Sequence, residues 1–489
     1  MVLLRRLPWL PGAVIAVGLW VWSLRRFDFA SDAQGNIDDL WQSLGSGILA
    51  ADPVGSITVL HIQPPLLNTL FAIDLSVTPS SHAFLAVLNV VAMVSSIAFL
   101  VDALRRVGVG DVVALGVGVL YAVLPGTVAY SLWVYNVTLT GLFAMTAVWG
   151  VAVARTRPSL GASVSGVAVL GLVSTRSTFA FPILVLWIAA LVWLTWRHRN
   201  GRLLGALAAV LVIGFAIQLH YLVNFGLVTM SSWGGQNVLN ATKTAGVLSV
   251  SPSAKQALGA DPCASTAVDA LIDERLNVWD PGGLLALEEC SGVQVAPERG
   301  AIAWDSQFKP GTEQSNFNWR AGLAASGVWT EAAIQIVRAD PTQLVRMAVA
   351  PPGGVLESGV ARYLSRSENY RWVLPTAESL PAPGLGAGLS TVFAPVAWLL
   401  VLIGWIFAIV SREWRKRSRP AFWFASGLLV FHISASTLLE YAEAMRFRAE
   451  VEPVLLFAAT AATWWTIRVM RTRFRSWTSA GISPSNEQH

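Results

Sequence analysis

The chain has 489 residues, 54% hydrophobic and 13% charged, with mean hydropathy +0.56. Soluble domains carry about 25% charged residues, so composition excludes a soluble enzyme or a disordered chain and implies an integral membrane protein. The net charge of +5 and pI near 9.5 do not imply nucleic acid, because membrane proteins collect Lys and Arg in their inner loops. There is no basic groove with interleaved aromatics, no internal repeat and no block of like charge.

A spanning helix needs about 20 mostly apolar residues. That length picks out ten segments: Leu7–Leu24, Ala83–Leu104, Val112–Leu124, Leu132–Val153, Leu160–Val173, Thr178–Trp196, Leu203–Val223, Thr391–Val410, Ala421–Leu439 and Val451–Ile467. The first is read as an anchor rather than a cleaved signal, because Arg25-Arg26 follow it and no small-residue cleavage site does. Ser56–Leu75 is apolar but broken by Pro64-Pro65, and reads as an interfacial helix. With the N-terminus inside, every inner loop is basic, and roughly eighteen Lys/Arg lie inside against roughly four Asp/Glu. The expected fold is therefore an all-α polytopic membrane protein. Residues 1–223 form a membrane region with an acidic first outer loop at 25–82, and 391–470 form a second membrane region before a cytoplasmic tail at 471–489.

Between the seventh and eighth spans lies 224–390, polar and punctuated by Gly and Pro, long enough for an outer domain of mixed α/β or irregular structure. Ser265–Leu276 has helical spacing and Pro351-Pro352 marks a turn. The only cysteines, Cys263 and Cys290, are too few for a metal framework. On an oxidising outer face they suit a disulfide, with two free thiols as the alternative.

Four polar clusters share the expected outer face. The first loop carries Asp28, Asp32, Asp38, Asp39 and Asp52, then His61 before Pro64-Pro65. Arg176 sits in a tiny loop between two spans. Asn224–Asn240 follows the seventh span, and Glu440–Pro453, with Glu443, Arg446, Arg448, Glu450 and Glu452, separates the last two. The bland readings are helix caps for Asp32 and Asp38, a snorkelling Arg176, helical pairs of Arg446 and Arg448 with Glu443 and Glu450, and loop packing for His61. The expected spans themselves offer little that is polar: Asn89, Asn136, Gln218, His220 and His432. Carboxylates and guanidinium groups gathered at one face, beneath few intramembrane charges, point to chemistry at the interface rather than a charged pathway through the membrane.

Asp52 precedes a Pro and reads as a turn residue, and Asp28 lies close to Arg25-Arg26. Asp38 and Asp39 fall on an expected short helix, Ile37–Leu44, where neighbours diverge by about 100°. Asp32, in Ser-Asp-Ala-Gln-Gly, is expected on irregular backbone and ranks first as a catalytic base, ahead of Asp38 and Asp39.

This order of clusters resembles membrane glycosyltransferases of the GT-C type, the group that includes protein O-mannosyltransferases and lipid A aminoarabinose transferases. Those enzymes have an acidic motif in the first outer loop and then a His-Pro-Pro-Leu-like motif; here stand Asp32, Asp38-Asp39 and His61-Ile-Gln-Pro-Pro-Leu66. Relatives carry Asn-x-x-x-Gly leading into Gly-Gly-x-Asn-Leu, matched by Asn224-Phe-Gly226 and Gly234-Gly-Gln-Asn237-Val-Leu239. Near the C-terminus they show an acidic residue, Arg-aromatic-Arg and a Pro, matched by Glu443, Arg446-Phe447-Arg448 and Pro453. The usual Asp-Glu pair is absent.

The resemblance implies a polyprenyl-phosphate sugar donor and a cell-envelope acceptor at the outer face of the cell membrane. An Asp would take the proton of the acceptor hydroxyl, Arg446, Arg448 and Arg176 would stabilise the leaving phosphate, and His61, Glu443 and Asn237 would support the site. No cofactor or metal site is expected, with a divalent cation left open. A polysaccharide polymerase or ligase and a lipid or glycan transporter are the rival readings.

Overall fold

The computed structural model describes residues 7–25, 29–40, 42–177, 184–190, 192, 201–228, 230–234, 237, 296–342, 383–411, 420–439 and 444–480. The helices in chain order are α1 (Leu10–Leu24), α2 (Phe29–Asp39), α3 (Ser46–Ala51), α4 (Pro53–Thr58), α5 (Leu66–Val77), α6 (Ala83–Arg106), α7 (Asp111–Val123) and α8 (Pro125–Leu132). They continue with α9 (Asn136–Ala154), α10 (Pro158–Thr175), α11 (Gly201–Phe225), α12 (Ile302–Asp305), α13 (Arg320–Ala339), α14 (Pro383–Val410), α15 (Pro420–Leu439) and α16 (Ala444–Ala480). Among the described residues there is no strand, only an isolated bridge between Phe308 and Ser315. The described part of 224–390 is thus helical and irregular, not mixed α/β.

Among the described residues five helices are long and apolar enough to cross a membrane: Ala83–Arg106, Asn136–Ala154, Pro158–Thr175, Ala208–Phe225 and Arg448–Phe474. A sixth arises if α7 and α8, bent by 52° at their junction, count as one span. Of the ten expected spans, five or six meet this measure among the described residues. Leu10–Leu24, Ala394–Val410 and Pro420–Ser436 are apolar but shorter, and of Thr178–Trp196 only 184–190 and 192 are described. The helices still fit a multi-pass membrane protein.

Local chemistry explains the breaks. Leu124 is extended (φ −63°, ψ 128°) because Pro125 follows and disfavours helical backbone before it. Gly108, at φ 90°, terminates the turn after α6, where Arg105 and Arg106 face the helix's negative end. The centre of the bundle is α9, which buries residues on every face and packs against α6, α10, α15 and α16. It crosses α10 with almost no side chain between: a Cβ on Gly161 would lie 2.2 Å from Ala154 N, and one on Gly150 2.6 Å from Ser165 Cβ. Small residues at such crossings let backbones approach where lipid supplies no hydrophobic drive.

α16 is one helix of 37 residues with Pro453 inside it. At about 1.5 Å per residue it spans roughly 55 Å, longer than a bilayer's hydrocarbon core of about 30 Å. The stretch from Ala444 to Glu452 is thus the start of this helix, correcting the expected loop. One end of the bundle is fastened by indoles: Trp464 Nε1 donates to Gly108 O at 2.7 Å, Trp465 Nε1 to Val107 O at 3.2 Å and Trp149 Nε1 to Asp102 at 2.7 Å. The first loop, the α8–α9 junction, Arg176, residues 230–234 and the described segment 296–342 meet at the other end.

Candidate active site

Asp32 lies in the first turn of α2, not on irregular backbone, and its Oδ2 accepts from Asn36 Nδ2 at 3.1 Å, one turn further on. The helix forms because Phe29, Ala33 and Ile37 recur every four residues and bury one stripe. It runs from Phe29 to Asp39, displacing the expected Ile37–Leu44. Asp38 and Asp39 diverge as the helical period requires. Asp38 Oδ1 accepts from Ser46 N–H at 2.7 Å and its Oδ2 from Gln34 Nε2, so protein donors occupy both oxygens. Asp39 is exposed and accepts from Gln314 Nε2 at 2.9 Å. Asp52 caps α4, accepting from Gly55 N–H at 2.9 Å, the turn role expected of it. Asp28 lies outside the described residues.

Lys309 of the inserted segment closes the far end of α2. Its side chain is buried and its Nζ donates to the Asp38 and Leu40 carbonyls, each at 2.8 Å, where the helix exposes acceptors. Burial pushes this amine down to about 8, against the attraction of Asp38 and Asp39.

His61 is a junction. Its N–H donates to Asn318 Oδ1 at 2.7 Å, its Nε2 to the Asn318 carbonyl at 3.1 Å, and its Nδ1 lies 3.0 Å from Ser232 Oγ. A carbonyl only accepts, so Nε2 carries the proton and Nδ1 receives the Ser232 hydroxyl. Burial lowers the imidazole to about 4, backbone hydrogen bonding at Asn318 and Trp319 opposing it. His61 therefore packs three segments together as a neutral ring, the bland reading. Asn237 sits a helical turn beyond Trp233, its N–H donating to Trp233 O at 3.0 Å.

Arg176 does not snorkel. It is buried, and its Nε donates to Glu450 Oε1 at 2.9 Å while Nη2 reaches the same oxygen. Glu450 Oε2 lies 3.6 Å from His432 Nε2 on α15. Glu450 thus pairs across the bundle with Arg176. Arg448 and Glu452 are also buried, one turn apart on α16. A cavity beside them is lined by Glu452, Tyr121, Tyr130, Thr127, Thr138 and Met93. Arg446 lies on α16, its side chain outside the described set; Glu443, Cys263 and Cys290 lie outside the described residues, so the expected disulfide is not addressed.

These groups form one chain of contacts. Asp32 bonds Asn36; Asn36 Oδ1 accepts from Trp133 Nε1 at 3.0 Å; Trp133 stacks on Tyr135 at 4.5 Å; Tyr135 lies 6.0 Å from the Arg176 guanidinium; and Arg176 binds Glu450. Asn36, Trp133, Tyr135, Asn318 and Lys309 are members or supports that sequence reading passed over, and His432 was noted there only as a polar residue within a span. Trp133 and Tyr135 carried a faint signal, two aromatics flanking an apolar segment's start. Among the described residues no group of three His, Cys, Asp or Glu could hold a metal ion. The chain matches no known protein family, no curated protein and no solved structure.

Proposed function

We propose that the protein transfers a sugar from a polyprenyl-phosphate donor to a cell-envelope acceptor at the outer face of a membrane, as a glycosyltransferase resembling the GT-C type. The observation that carries this reading is the contact chain from Asp32 to Glu450, which joins the acidic first loop to the Arg-bearing start of α16. Asp32 is the base that accepts the acceptor hydroxyl's proton as the oxygen attacks the anomeric carbon, a contribution typically worth about 10²–10⁴-fold. Asp38, with both oxygens engaged, and Asp39 rank behind it. As the sugar–phosphate bond breaks, Arg446 and Arg448 balance the charge gathering on phosphate. Arg176 keeps Glu450 as its partner and orders that end of α16. The polyprenyl tail lies among the spans.

The test uses the full-length protein in liposomes, offered a panel of polyprenyl-phosphate sugars and envelope acceptors. Asp32→Asn, nearly isosteric, should fold and bind donor normally while losing transfer by at least about 10²-fold. Normal turnover in Asp32→Asn with loss in Asp38→Asn or Asp39→Asn would move the base. Normal turnover in all three would remove the reading.

One observation favours a second reading, transport of a lipid-linked glycan. Arg176, His432, Arg448, Glu450 and Glu452 are all buried within or at the ends of the spanning helices, where ionisable groups commonly mark a pathway. Movement of a fluorescent polyprenyl-phosphate sugar across the same liposomes, with no sugar released, would favour it.

A further inference from the structure

The helix that carries the proposed base is fastened by a buried hydrogen-bonded pair that the reaction above does not use. Asp74, near the end of α5, and His82, just before α6, are 0% and 1% exposed. Asp74 Oδ1 accepts from the Thr78 hydroxyl at 2.8 Å and from Leu85 N–H at 3.3 Å, and its Oδ2 lies 2.5 Å from His82 Nδ1. On the other side of the ring, His82 Nε2 is 3.1 Å from Gln34 Oε1 on α2, and Gln34 Nε2 reaches Asp38 Oδ2. His82 is also the one non-glycine residue with positive φ among the described residues, at 50°. Such backbone is uncommon outside glycine, so the surroundings hold the ring where it is.

The donors fix one another. A carboxylate only accepts, so Gln34 turns its NH₂ toward Asp38 and its carbonyl toward the ring. That carbonyl also only accepts, so His82 Nε2 donates to it, while Nδ1 donates to Asp74. With both nitrogens donating, the ring ties Asp74 on α5 to Gln34 on α2.

We propose that Asp74 and His82 are positioning residues for α2: through the His82 ring they anchor Gln34 and Asp38, and so orient Asp32. The consequence for transfer rests on the glycosyltransferase reading; the consequence for α2 does not.

The experiment uses the full-length protein in lipid nanodiscs, labelled with ¹⁵N at its six histidines. The His82 signal, identified by its loss in His82→Gln, should show two protonated nitrogens, and in Asp74→Asn a single one. Hydrogen exchange over 29–39 should quicken about tenfold in Asp74→Asn and in Gln34→Leu, the equivalent of one lost buried hydrogen bond. Gln34→Leu alters a half-buried residue and carries the test if Asp74→Asn does not fold. In the transfer assay it should lower kcat about tenfold with the donor KM unchanged. A neutral His82 ring in the native protein, or unchanged exchange in Gln34→Leu, would overturn the proposal. If those two measurements come out as expected and no donor is turned over, the positioning role stands and the reaction reading alone fails.

Discussion

His61 is neutral because it is buried, and that has a measurable cost in acid. Its folded value of about 4 lies below the ordinary 6.5, so between those values the unfolded chain holds a proton that the folded chain lacks. Stability therefore falls as pH drops through that window and is fully present above it, by up to about 3 kcal/mol at the acid limit. Thermal unfolding of the native protein and of His61→Asn from pH 7 to 4 should show the steeper acid loss only in the native protein; equal slopes would contradict the burial argument. Single-residue roles set by neighbours in sequence were legible beforehand: Asp52 before a Pro became a cap, and Asp38 and Asp39 diverged as helical neighbours must. Arg176 was not, because its partner Glu450 lies 274 positions away and nothing local selects it over Arg446 or Arg448.

Among elements, α2 shows what tertiary contact adds to a weak helix. Its eleven residues include Gly35, Asn36 and three Asp, poor helix formers, and isolated helices of that length are marginal in water. The Phe29–Ala33–Ile37 stripe, Lys309 at one end and His82 at its side hold it. Lys309→Met removes two hydrogen bonds to helix-terminal carbonyls and should destabilise the protein by about 2–3 kcal/mol. Denaturant unfolding followed by Trp fluorescence checks it, and a change below about 0.5 kcal/mol would mean that the cap contributes nothing. The stripe was readable in the sequence, yet the helix was expected at Ile37–Leu44 because Asp32-Ala-Gln-Gly reads locally as loop. α16 escaped for the opposite reason: Pro453 and the charges before it mark a loop by composition, whereas pairing of Glu450 with Arg176 lets the helix begin earlier. The α7–α8 break follows from Pro125 alone.

At the scale of the whole molecule, indoles fasten one end and polar side chains from distant segments meet at the other. Charge asymmetry in the sequence anticipates that division, since the described basic loops at Arg105-Arg106 and Arg155–Arg157 fall at the indole end. Helix ends were less legible than the spans themselves, because apolar letters do not reveal where a helix stops. Orientation can be tested with an impermeant maleimide on intact cells, in a protein with Cys263→Ser and Cys290→Ser. Cysteine at Glu313 should label and cysteine at Arg473 should not, both being exposed positions at opposite ends; Lys309, being buried, is unsuited. The reverse pattern would invert the topology and with it the case for an outward-facing reaction.

The crossing of α9 and α10 also governs how this chain can change over generations. Where Gly150 and Gly161 let two backbones touch, even a methyl group has no room, so those positions are closed to drift whatever the lipid or substrate. The outward residues of α11, such as Val212, Phe215 and Val223, are mostly exposed and are free to wander among apolar side chains. Two descendants of one ancestor could therefore differ along most of α11 and still share that pair of glycines, which makes the crossing a more durable mark of ancestry than overall similarity.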